Sequence, residues 1–251
     1  MFEKQIRNLI KKYENEYKIF MGIESFPEYR LELIRLDSNK ISKIGFGAVA
    51  AAKYNWKTNE HILQIFLDIT IEKHIVFHEF THILDSEMYV QKNPRRYMGL
   101  SGYTEYHAAQ VELMVLLGAN SVQQQDLLVD LDFEIMMFAK KNSVKEYILS
   151  RYQTAMNIMR RKDFPRDIEA LKGAVGALYN YFGMRSICKM YGGGYSDEDL
   201  DNTSIVQKIP ELFFDVLNKS MNGWLTNDEI EESIIRYYNS AMNIIQKYNL
   251  S

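Results

Sequence analysis

The chain has 251 residues, 47% hydrophobic and 25% charged, and its 33 acidic and 30 basic side chains leave a formal charge of -3. That balance describes a globular protein able to bury a substantial core, and it lacks the basic excess of a nucleic-acid-binding domain, so no nucleic-acid partner is expected. The single cysteine, Cys188, excludes an internal disulfide; with no apolar signal core in residues 1 to 7 and no run near the roughly 20 apolar residues of a membrane span, no membrane association and a cytoplasmic location are expected.

Residues 2 to 20 set Ile6, Leu9, Ile10, Tyr13, Tyr17 and Phe20 at three- and four-residue intervals, the period of an amphipathic helix. After Gly22 and Pro27, alternating apolar and charged residues over 29 to 36 predict a strand with one wet face, and Asp37-Ser38-Asn39 predicts a turn. Residues 44 to 56 and 61 to 68, joined by a polar turn over 57 to 60, read as a β-hairpin. Its first strand is small. Gly45, Gly47, Ala48, Ala50, Ala51 and Ala52 leave room for another backbone to approach, either a packed helix or a bound peptide.

The next segment carries the chemistry. His78-Glu79-Phe80-Thr81-His82 is an H-E-x-x-H motif inside an apolar run. On a helix, His78 and His82 lie one turn apart on one face and aim at one metal ion. Two imidazoles and a third protein ligand hold zinc with a position left open for water. The metal lowers the pKa of that water, and Glu79 is placed to take its proton and later pass it to a leaving group. The helix is expected to start near Thr70, as N-cap, and to end at Met88 or Tyr89. Pro94, Gly99 and Gly102 predict a loop with Arg95 and Arg96 at its tip, after which Thr104 caps a helix over 105 to 117 ended by Gly118.

That second helix offers two candidates for the third ligand, Glu105 and Glu112. Glu105 follows His82 by 23 residues, enough for a loop and a returning helix. The small Ala108 and Ala109 beside it allow close helix approach and favour Glu105. His74 continues the face of His78 one turn earlier, too far for a third ligand, and reads as a core or supporting histidine. Tyr97, Tyr103, His107 and Arg96 are candidate donors to a developing oxyanion.

From Asn120 onward the pattern is helical, over 126 to 141, 143 to 161, 165 to 191, 209 to 220 and 226 to 248. Pro165 marks one start, and Thr226 with Glu229 forms a capping box at another. Gly192-Gly193-Gly194 reads as a helix-ending linker, since neither Lys-Ser nor Lys-Thr follows. Asp197, Asp199 and Asp201 mimic the start of a calcium loop, which Asn202 and Lys208 then break. Cys188 and the methionines at 136, 137, 156 and 159 read as core fillers.

H-E-F-T-H followed by Glu105-Tyr106-His107-Ala108-Ala109 resembles the gluzincin pattern, and is most similar to the compact ImmA/IrrE-type metallopeptidase domains of bacteria, phages and mobile elements. The resemblance covers about residues 30 to 118. It implies His78, His82 and Glu105 as zinc ligands, Glu79 as catalytic base, and a transcriptional repressor or stress regulator as substrate. Met88 stands where a metzincin would have its third histidine. Many gluzincins carry an aspartate four residues after the ligand glutamate; this chain has Ala109 there, leaving Asp85 and Glu112 as the carboxylates that can support a ligand histidine. The expectation is an α+β protein: a zinc metallopeptidase-like domain over 1 to 120, with a small sheet packed on the motif helix, then a mostly helical domain over 121 to 251. It would hydrolyse a peptide bond in a cytoplasmic protein. The alternative is a catalytically weak, metallopeptidase-like regulatory protein that binds a protein partner through its helical half.

Overall fold

The computed structural model describes residues 2 to 35, 49 to 67, 70 to 138, 140 to 196, 200 and 223 to 250. The turn expected at Asp37-Ser38-Asn39, the Gly45, Gly47 and Ala48 portion of the first hairpin strand, Asp197, Asp199 and Asp201, and the helix expected over 209 to 220 lie outside these residues.

The protein is α+β. Helix α1 (Phe2–Met21) buries Ile6, Ile10, Tyr17 and Phe20, the stripe its periodicity predicts. Strands β1 (Tyr29–Ile34), β2 (Ala50–Asn55) and β3 (Glu60–Phe66) form a sheet in the order β1-β3-β2. β3 runs parallel to β1 and antiparallel to β2, so Leu63 stands between Leu31 and Ala52. β2 and β3 are the expected hairpin, with β2 as an edge strand among the described residues.

The motif helix α2 (Lys73–Tyr89) packs Val76, Phe77, Phe80 and Ile83 into the core. Tyr17 of α1 donates from its hydroxyl to Thr81 at 3.0 Å, tying the opening helix to the middle of the motif. The expected start at Thr70 is wrong: the N-cap is Glu72, and Thr70 is exposed. The first buried side chain of the helix is His74, while Ile71 packs on the core from the segment before it. The Glu72 side chain does not cap; it accepts from the Phe138 amide at 2.6 Å instead.

The loop expected at Pro94 to Gly102 is also wrong. Helix α3 runs Pro94–Leu116, with Asn93 as N-cap accepting from the amides of Arg95 and Arg96 and with Pro94 in the first turn, where a missing amide costs nothing. The two glycines are contact points within this helix. A Cβ on Gly99 would lie 2.3 Å from the Ile234 carbonyl oxygen, and one on Gly102 would lie 2.6 Å from the rings of both Tyr179 and Tyr237. Close packing outweighs the intrinsic cost of helical glycine, about 1 kcal/mol each. Gly102→Ala is expected to lose about 1–3 kcal/mol through overpacking. Urea unfolding would measure this, and an unchanged midpoint would mean that the facing rings simply yield.

The chain beyond residue 120 is less uniformly helical than its pattern predicts. In place of a helix over 126 to 141 there is a hairpin, β4 (Glu134–Met137) with β5 (Lys140–Ser143). Ile135 and Met137 are buried while Glu134 and Met136 are exposed, a period of two rather than 3.6. Ser143 ends β5 and forms a capping box with Glu146, starting α4 (Val144–Met159). Helix α5 (Ile168–Tyr191) starts three residues after Pro165, because Asp167 caps it by accepting from the Ala170 amide at 2.7 Å. Gly192 ends it, and α6 (Asn227–Tyr248) begins at the predicted Thr226 and Glu229 capping box.

α3 is the central helix, packed against α2 on one side and α5 and α6 on others. One cluster of buried side chains joins Ile6, Phe77, Tyr106, Met156, Tyr181 and Ala241, so both sides of the boundary expected at residue 120 share a core. Cys188 is fully buried in it, as expected. No helix among the described residues is long and apolar enough to cross a membrane.

Candidate metal centre

On α2 the buried positions 76, 77, 80 and 83 leave 78, 79 and 82 on the opposite side, facing a cleft of about 930 Å³. The His78 and His82 rings are 4.7 Å apart between centroids. Glu105 reaches them from α3, with Oε2 at 3.7 Å from His78 Nε2 and 3.9 Å from His82 Nε2. Among the described residues these three form the one group of His, Cys, Asp and Glu side chains able to share a metal ion, their ligand atoms all lying within 4.8 Å of one another. Two ligands about 2.0–2.2 Å from zinc at a tetrahedral angle stand about 3.3–3.5 Å apart, so the two carboxylate–imidazole distances lie within about half an ångström of that spacing. Two imidazole nitrogens and one carboxylate are also a donor set found in catalytic zinc sites.

Each of these side chains is held from behind. His82 Nδ1 lies 2.8 Å from Thr104 Oγ1, so Thr104 supports a histidine from inside α3 and does not cap that helix. Asn180 of α5 donates to Glu105 Oε2 at 2.9 Å. His78 Nδ1 lies 2.8 Å from Oε2 of Glu112, which is 2% exposed. Were Nε2 to bind a metal, Nδ1–H would donate to that carboxylate, an arrangement that fixes a histidine's tautomer. The structure thus puts Glu105 at the shared point and Glu112 behind His78.

Glu112 is in turn held by α4. Arg151 donates to its Oε1 at 2.7 Å, the Tyr147 hydroxyl donates to the same oxygen, and Arg151 also donates to the Tyr147 oxygen at 2.6 Å. Burial would raise the Glu112 carboxyl, but the Arg151 charge and the bond to His78 hold it well below the usual carboxylate range. Burial likewise opposes ionisation of Glu105, which the charge of His82 and the bond to His78 nevertheless bring down to about 2. Burial would lower His78, yet hydrogen bonds to Glu105 and Glu112 raise it to about 10. A metal taken up at neutral pH therefore displaces a proton from that ring.

Glu79 faces the cleft beside the two histidines, and its Oε2 accepts from the Ala52 amide at 2.6 Å. That bond places the carboxylate against edge strand β2. The alanines at 50 to 52 line one wall of the cleft and Gly173, Gly176 and Ala177 of α5 line another.

The remaining sequence candidates are placed elsewhere. Asp85 bonds His107 Nδ1 at 2.9 Å and so does not support a ligand histidine. His74 is buried one turn from His78, with burial lowering its pKa. Arg96 forks onto Glu231 at 2.7 and 2.5 Å, and Tyr103 is buried against His107, which leaves Tyr97 as the proposed oxyanion donor that lines the cleft. Sequence reasoning missed Thr104, Asn180, Tyr147 and Arg151. One signal was available: Arg151 falls on the buried stripe of α4 marked by Val144, Tyr147, Ile148 and Ala155, where a charge requires a partner.

No protein-family model matches the chain, and no curated protein or solved structure matches it.

Proposed function

We propose that the protein is a zinc-dependent metallopeptidase that hydrolyses a peptide bond in a cytoplasmic protein. The observation that carries this reading is the convergence of His78 Nε2, His82 Nε2 and Glu105 Oε2 in a cleft that also contains Glu79. His78, His82 and Glu105 would hold the ion. Zinc, when bound there, supplies Lewis-acid polarisation of a carbonyl and acidifies water. Glu79 takes the proton of the attacking water and returns it to the departing amine nitrogen, acting as base and then as acid. Its bond to the Ala52 amide orients the carboxylate for both transfers. The alanines of β2 let an extended peptide backbone lie close to that wall. The substrate class follows the resemblance to ImmA/IrrE-type domains: a transcriptional repressor or stress regulator.

The direct test is the metal content of protein expressed in zinc-replete medium, paired with cleavage of a peptide library before and after chelation. One zinc per chain and chelator-sensitive hydrolysis are expected. Chelation should also lower stability, by about 2.7 kcal/mol where free zinc had stood at 100 times its dissociation constant. Purified protein without any transition metal would overturn the reading.

A further inference from the structure

The metal centre does not end with the two helices that carry its ligands. Glu112 is nearly inaccessible, and its two oxygens face opposite ways: Oε2 meets His78 Nδ1, and Oε1 meets Arg151 and Tyr147. Arg151 also lies over the Tyr147 ring, 4.9 Å from its centroid, so the two side chains one turn apart on α4 form a single clamp. A carboxylate tied at only one oxygen can turn about its terminal bond, whereas one tied at both has a single orientation and holds its partner imidazole in one plane.

We infer that Tyr147 and Arg151 are positioning residues for the metal centre: by clamping Glu112 they set the tautomer and ring plane of His78, so zinc affinity depends on a helix outside the ligand-bearing segment. The inference rests on the zinc reading above. It assigns to α4, which follows the ligand helices in sequence, a part in building the site. The metal and the docking of α4 are then linked, each favouring the other, because binding to a preformed site stabilises whatever forms it.

The test measures zinc dissociation constants by chelator competition for the wild type, Tyr147→Phe, Arg151→Met, Arg151→Lys and Glu112→Gln, with the visible spectrum of the cobalt-substituted protein as a report on ligand geometry. Zinc binding should weaken about 10- to 100-fold in E112Q, the range for a residue bonded directly to a metal ligand, and up to about 10-fold in Y147F and R151M, which act through it. R151K, which keeps the charge, should recover part of the loss. Combining R151M with E112Q should add little to E112Q alone, since both break one chain of contacts. Y147F removes only a hydroxyl and keeps the question open to measurement should R151M fail to fold. Wild-type affinity and an unchanged cobalt spectrum in Y147F and the folded Arg151 variants would overturn the inference while leaving the zinc reading intact. A wild type that binds no zinc would instead overturn the reading beneath it.

Discussion

Glu79→Gln is expected to lower turnover by about 10²- to 10⁴-fold, the contribution of a positioned acid–base group, while zinc stoichiometry stays the same. Glutamine has nearly the same shape, and its amide oxygen accepts the Ala52 amide bond that Glu79 Oε2 accepts at 2.6 Å. The strand therefore remains docked and only the capacity to take and return a proton is lost. The measurement pairs kcat on a cleaved peptide with zinc content per chain. If the biological function persists at full strength in E79Q, the peptidase reading fails and the protein acts instead as a binding regulator that keeps the metal fold.

Ala109→Asp, which would introduce the aspartate found in the gluzincin pattern that the sequence resembles, should be strongly damaging to stability. Ala109 is completely buried against α5. A Cβ built on Gly183 would lie 2.2 Å from the Tyr106 carbonyl oxygen and 3.1 Å from Ala109 Cβ, so the α3 and α5 backbones are close to contact there. An aspartate at 109 would have no space at this contact, and its carboxylate would be desolvated there. The expected cost is about 3–5 kcal/mol, typical of a buried charge left without its partner. Denaturant unfolding decides it: a variant as stable as the wild type would mean that α5 moves aside to make room for the carboxylate.

The same contact explains how the site differs from the resembling pattern. With Ala109 committed to α5, support for His78 comes from Glu112, almost one turn further along α3. Glu112 was legible as a candidate because it lies on the same helix as Glu105. Its own partners were not. Arg151 lies 39 residues from Glu112 and Tyr147 lies 35, distances at which no local period operates.

Local patterns carried much of the rest. Residues four apart on a helix share a face whatever surrounds them, so His78, Glu79 and His82 were readable as one constellation. The β2–β3 hairpin, the α1 stripe and the capping box at Thr226 were readable for the same reason. The sequence misled where a residue type has two uses. Pro94 breaks a helix interior but opens a helix at its first turn, and Gly99 and Gly102 signal loops except where another backbone or ring needs the missing Cβ's space. Residues 134 to 143 are apolar and charged enough for either period, and the burial of Ile135 and Met137 decides for strand.

By itself, then, the sequence determined the chemistry of the candidate site: two histidines and a glutamate on one helical face, with acidic residues for a third ligand on the next helix. Only the tertiary structure decided which carboxylate meets both imidazoles and which stands behind one. The α3 register relative to α2 makes that choice, and it is set by packing against α5 and α6, with Glu112 clamped from α4. Helical periodicity is a property of neighbours in the chain. Register between helices is a property of the surfaces they bury.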